Sequence, residues 1–87
     1  MSETNQKPNV RIFDEGQHWQ DRYTIVWPDL TYISLSESGK RYEGDDFGTQ
    51  QAFESWHRLF NPREISFSAL PPACQEKVVR DSEEACE

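Results

Sequence analysis

Apolar and polar residues alternate along the first third of the chain, and this alternation predicts three antiparallel strands. The first is Val10 to Phe13, which is rich in branched and aromatic residues and is followed by a turn. The second, Arg22 to Trp27, places Tyr23, Ile25 and Trp27 on one side and Arg22, Thr24 and Val26 on the other. After a turn at Pro28-Asp29, Thr31 to Ser36 resumes the strand pattern. Together these segments predict a three-stranded meander.

The next stretch, residues 37–48, contains three glycines, six charged residues and two isolated aromatics, a composition typical of a long surface loop. A helix is predicted over residues 50–60, with Thr49 as its N-cap. Its apolar residues share one face by their spacing: Ala52, Phe53, Trp56, Leu59 and Phe60. Asn61-Pro62 ends this helix.

The remaining pattern predicts a fourth short strand, Glu64 to Phe67, and a second helix over residues 72–81 with Cys74 and Val78 facing inward. The fold class is therefore α+β, with a three- to four-stranded antiparallel sheet packed against one or two helices. Residues 1–8 are predicted to be a disordered tail, residues 9–81 a single domain and residues 82–87 an acidic tail that frays.

Charge narrows the kind of partner. The chain carries 16 acidic and nine basic residues, a formal net charge of −7, which repels phosphate backbones and anionic membrane surfaces. We therefore expect no direct contact with nucleic acid or membrane, but attraction to a protein with a basic surface. The N-terminal residues do not have the pattern of a secretory signal, and no apolar run matches a membrane span, so a cytoplasmic location is expected.

Candidate catalytic and metal-binding patterns are weak. His18, His57, Cys74 and Cys86 do not have the spacing of zinc ligands, and no cofactor is expected. Both cysteines are interpreted as reduced thiols. Cys74 near a helix start is the one candidate for thiol chemistry, but a buried structural role is favoured because it falls on the inward face. The sequence therefore predicts a binding protein and not an enzyme.

The acidic segment offers the clearest candidate binding surface. Four carboxylates lie close together in the predicted loop, and two aromatic rings accompany them: Glu37, Tyr42, Glu43, Asp45, Asp46 and Phe47. Their spacing lacks the alternation of a calcium loop, so a solvated charged segment is the alternative to a site. Carboxylates beside aromatic rings would pair with and stack on the arginines of a basic partner. These six residues are the predicted partner-binding set.

Several segments also resemble a known group of proteins. They are Arg11-Ile12-Phe13-Asp14, Asp21 to Val26, Leu35-Ser36-Glu37, Asp46-Phe47-Gly48 and the run from Ile65 through Leu70-Pro71 to Cys74-Gln75. In these the chain resembles small, largely uncharacterised proteins of phages, plasmids and other bacterial mobile elements. It departs from their pattern at residues 50–60, where a helix with Trp56 replaces a shorter loop. The resemblance implies a genetic setting in which small acidic proteins, such as anti-CRISPR proteins, block host defence complexes.

Two functions follow as expectations. The first is an interaction protein of a mobile element that binds and inhibits a host nucleic-acid-handling complex. The alternative is a homo-oligomeric structural or accessory module, for example a homodimer formed by an edge strand. The pattern assigns neither Trp19 nor Tyr32 to a face, and either ring would anchor an interface if it were exposed beside an edge strand.

Overall fold

The structure is a computed structural model that describes residues 9–85, apart from the side chains of Glu43 and of residues 83–85. The predicted tail over residues 1–8 and the last two residues lie outside this part. Five strands form one antiparallel sheet: β1 (Arg11–Asp14), β2 (Tyr23–Val26), β3 (Thr31–Leu35), β4 (Arg41–Asp46) and β5 (Arg63–Ile65). Their order in the sheet is β4-β3-β2-β1-β5. Two helices, α1 (Gln50–Phe60) and α2 (Pro72–Ala85), and a short 3-10 turn complete the fold.

The helices cover opposite faces of the sheet. The central strand β2 shows this directly, because all four of its residues are buried although they alternate in direction. One core cluster lies under α2 and consists of Ile12, Tyr23, Ile25, Ile33, Leu35, Leu70, Cys74 and Val78. The other lies under α1 and is built on Phe13, Val26 and Phe53. The predicted α+β class and the predicted directions of the β2 side chains are both confirmed.

The predicted strand number of three to four is wrong, because the segment interpreted as a loop contains β4. Residues 41–46 pair with β3 in antiparallel register. An edge strand that is exposed along most of its length needs few apolar side chains, so the charges and glycines of this segment conceal it from pattern analysis.

Helix α1 has the predicted limits but not the predicted buried face. Thr49 caps it, since its Oγ1 accepts a hydrogen bond from the Ala52 N–H at 3.1 Å, and Asn61 ends it in a left-handed conformation. Phe53 is buried and Trp56 half-buried, but Leu59 and Phe60 are exposed at 78% and 53%. The packed stripe runs through Phe53, Trp56 and His57, whose rings approach Phe13, so Leu59 lies to one side of it.

The C-terminal third differs in its boundaries. β5 spans only Arg63–Ile65, and Phe67 lies in the 3-10 turn instead of the predicted fourth strand. Helix α2 continues to Ala85, because residues 82–85 have adequate helix propensity and the Ser82 Oγ accepts a hydrogen bond from the Trp27 Nε1 at 3.0 Å. Within residues 9–85, neither helix has the length and apolar character that a bilayer crossing requires.

Candidate protein-interaction surface

The candidate surface is the outer side of β4, an open edge of the sheet. No strand pairs with this side of β4 among residues 9–85. A tight turn positions the strand: the Ser36 N–H donates to the Lys40 carbonyl oxygen at 2.9 Å, and Gly39 supplies the positive φ of 89°. Gly44, Asp45 and Asp46 follow on the exposed part of the strand. The turn thus holds an acidic segment extended at the margin of the molecule.

A bulge divides β4 into two parts. Leu35 pairs with Arg41 and Ser34 with Glu43, so Tyr42 is the extra residue on the edge strand. The Tyr42 side chain is 41% exposed, and the Lys40 Nζ lies 5.0 Å from the centre of its ring. Tyr42 therefore remains available to a partner as an amphipathic ring with a cation beside it.

A groove of about 700 Å³ opens beside β4. Its lining combines apolar and acidic residues from several parts of the chain. The apolar ones include Ile33 of the core and the half-buried Trp27, and the acidic ones are Asp29, Asp45, Asp46 and Asp81. Because Ile33 belongs to the core cluster beneath α2, the groove lies on the α2 side of the sheet. A concave surface with apolar walls and convergent carboxylates suits a cationic group on an aliphatic stem.

Two of the groove carboxylates have distinct environments. The Asp29 Oδ1 accepts hydrogen bonds from the Thr31 hydroxyl at 2.6 Å and from the Thr31 N–H at 3.1 Å, and these bonds lower the pKa of Asp29. The Asp81 Oδ2 is buried and has no hydrogen-bond partner among the residues that the structure describes. A buried acceptor without a donor is costly, so a donor that reached this oxygen would stabilise it.

Arg41, the first residue of β4, also lines the groove. Its Nη2 is 2.5 Å from the position that a Cβ would take at Gly44, so a glycine at this position is what lets the guanidinium lie there. Arg41 lines the groove together with the acidic residues, so the lining contains one positive charge among them. Because the clashing atom is the end of a flexible side chain, a small residue at Gly44 would displace Arg41 and leave the strand in place.

The structure separates the predicted partner-binding residues. Asp45 and Asp46 are exposed on the edge, and Glu43 is in the same strand, but Glu37 lies in the turn and its Oε2 accepts a bond from the Arg22 Nη1 at 2.6 Å. Phe47 is half-buried; its ring stacks on Tyr32 at 4.6 Å and contacts Phe53 and Trp56 in the cluster under α1.

Other candidate residues lie away from this surface. Trp19 is 54% exposed in the connection between β1 and β2. Cys74 is a buried free thiol whose Sγ donates to the Ser36 carbonyl oxygen at 3.0 Å, and burial raises its pKa. Among residues 9–85, no three His, Cys, Asp or Glu residues are grouped so that they could hold a metal ion.

Sequence reasoning missed Asp29, Asp81 and the role of Gly44 in this surface. The sequence pattern indicates only a turn at Asp29 and a helix end at Asp81, and nothing local in the sequence brings them to β4. Gly44 between charged residues was the one available signal, since a glycine inside a strand marks a close approach. Compared with known proteins, the chain matches no protein-family model and has no significant relative among curated proteins or solved structures.

Proposed function

We propose that this chain is a small acidic interaction protein of a mobile genetic element, which binds a host nucleic-acid-handling complex and inhibits it. The observation that carries the proposal is the pair Asp45 and Asp46 on an open strand edge, beside a groove lined by further carboxylates. The mobile-element setting comes from the resemblance of the sequence motifs, and a cytoplasmic location and the absence of catalysis belong to the same proposal.

Electrostatics support a basic partner. A net charge of −7 on 87 residues attracts a basic surface over roughly 8–10 Å at physiological salt, and it repels nucleic acid over the same range. Complexes that handle nucleic acid expose such basic surfaces for the phosphate backbone. An acidic edge docked there lowers their capacity for nucleic acid, which is the proposed mode of inhibition.

The test compares two doubly substituted variants with the same change in net charge. Asp45→Lys/Asp46→Lys reverses the edge, and Glu54→Lys/Glu76→Lys reverses two exposed carboxylates on the helices. Each tagged protein is incubated with host lysate, and the retained complexes are identified. Each purified complex is then titrated with the three proteins while its binding to nucleic acid is measured.

We expect the wild type and the helix variant to capture a nucleic-acid-handling complex and to inhibit it, and the edge variant to lose at least about tenfold in affinity. Unfolding curves of both variants check that the domain is intact. Equal capture by the edge variant would refute the role of the edge, and a captured complex that keeps its nucleic-acid binding would refute inhibition.

A specific observation also favours a second function, self-association. Leu59 and Phe60 form an exposed apolar surface at the end of α1, beside the half-buried Trp56. A homo-oligomeric module would bury this surface. Light scattering of the wild type and of Leu59→Glu/Phe60→Glu distinguishes the two functions. A wild type that dimerises with increasing concentration, together with a variant that stays monomeric, supports the module. A wild type that is monomeric at all concentrations rejects it.

A further inference from the structure

The backbone groups that β4 turns outward follow from two hydrogen bonds. The Trp27 N–H donates to the Thr31 carbonyl oxygen and the Phe47 N–H to the Leu30 carbonyl oxygen, both at 2.9 Å. Hydrogen-bonded and non-bonded pairs alternate in an antiparallel ladder. Because Leu30 and Phe47 form a bonded pair, the next pair, Thr31–Asp46, is non-bonded, and the Tyr32–Asp45 pair is bonded across β3 and β4. The backbone N–H and carbonyl groups of every second residue of β4 therefore point away from the sheet.

In β4 the outward-facing residues are Gly44 and Asp46. The Asp46 N–H already donates to the Asp45 Oδ1 at 2.8 Å, so Asp46 offers its carbonyl oxygen, and Gly44 offers both its N–H and its carbonyl oxygen. Gly44 is exposed and has no side chain, which lets another backbone approach closely. The edge is therefore equipped for one new ladder of hydrogen bonds centred on Gly44.

Charge decides which strand can use this edge. If a second copy paired antiparallel about Gly44, Glu43 of one copy would lie opposite Asp45 of the other, and like charges opposite each other destabilise a sheet. A strand with Lys or Arg beside these positions gains from the same geometry. The opposite edge strand, β5, has only three residues and begins with Arg63, so it does not offer an equivalent site.

We propose that β4 adds an extended Lys/Arg-rich segment of its partner as a sixth strand, through the backbone of Gly44 and the carboxylates of Asp45 and Asp46. This inference rests on the proposed function, because it specifies how the basic partner is held. Main-chain bonds supply affinity in such strand addition, and alternate side chains supply specificity. Side chains of the added strand on the α2 side enter the groove, where Asp29, Asp46 and Asp81 are among the lining residues that attract a cation.

The test uses synthetic peptides with the alternating sequence Arg-Val-Arg-Val-Arg-Val-Arg, without any host complex. Two control peptides have the same sequence and charge. One is N-methylated on the three valines and the other on the four arginines, so each lacks the backbone N–H donors of one edge of the strand. Binding to the full chain is measured by calorimetry, and protection of the Gly44 amide by hydrogen exchange.

The protein variants are Gly44→Ala and Gly44→Pro, which both displace the Arg41 guanidinium but differ in the outward N–H. Proline is tolerated in an edge strand where its nitrogen faces outward, so both should fold. The two variants are compared with each other, because both lose the glycine and displace Arg41. We expect the proline variant to bind the peptide roughly tenfold more weakly than the alanine variant, in line with the loss of one or two hydrogen bonds, and we expect one N-methylated peptide to bind the wild type weakly for the same reason.

Equal binding of the plain and both N-methylated peptides would overturn strand addition, whether or not the proline variant folds. Failure of the plain peptide to bind the wild type would overturn it too. Neither result would contradict the proposed function, which is tested separately by the capture and inhibition of a host complex by the protein with an intact edge. Protection of Gly44 together with selective weakening by one N-methylated peptide would establish the sixth strand.

Discussion

Replacing Phe53 with alanine tests how α1 is held to the sheet. Phe53 is the one residue of α1 that is almost fully buried, with 4% exposure, and its ring lies 5.9 Å from Phe13 and 5.3 Å from Phe47. Removing a buried phenylalanine ring costs about 3–5 kcal/mol. A domain of this size has a free energy of unfolding of roughly 4–13 kcal/mol, so the loss is a large part of the total.

The matched control is Leu59→Ala on the same helix. Leu59 is 78% exposed, so its removal should change the free energy of unfolding by no more than about 0.5 kcal/mol. Both variants are measured by urea unfolding, followed by tryptophan fluorescence and far-UV circular dichroism. A loss below about 1 kcal/mol for Phe53→Ala, or an equal loss for Leu59→Ala, would refute the assigned face of α1.

Two further predictions concern titratable groups. Hydrogen bonds from Arg22 at 2.8 Å lower the pKa of Asp14. The contribution of this pair to the free energy of unfolding is therefore complete above the unfolded-state pKa of about 3.9, and it is lost as the pH falls through the folded-state pKa. Arg22→Gln should therefore flatten the acid side of the stability curve measured by urea midpoints, and a parallel shift would contradict this. Cys74 is buried and the pKa of its thiol is raised, so in a Cys86→Ser variant this thiol should react with a disulfide reagent at pH 8 only as the protein unfolds. Rapid labelling of the native protein would contradict the burial.

The sequence allowed the centre of the sheet to be predicted but not its margin. β2 is visible because both of its faces are buried and its side chains alternate. β4 is hidden because only the backbone and one neighbouring strand define it, and its charged residues match a loop equally well. The predicted face of α1 is wrong because periodicity describes the helix alone, whereas burial depends on where Phe13 lies beneath it.

The candidate surface was predicted in part for a similar reason. The acidic residues near Asp45 were identified from composition, since charge is a local property of the sequence. The groove was not, because it needs Asp29 from a turn and Asp81 from a distant helix to converge on β4. Convergence of this kind is a property of the tertiary fold.

The sheet order also has a kinetic consequence. Strands β1 to β4 pair with their neighbours in sequence, so these contacts close short loops, whereas Arg11 and Glu64 meet across the β1–β5 seam from 53 residues apart. Helix α1 connects β4 to β5, which lie at opposite edges of the sheet. Its 11 residues span about 16 Å, close to the roughly 19 Å between the two edges. We therefore expect the seam to close last during folding and to open first in the native state.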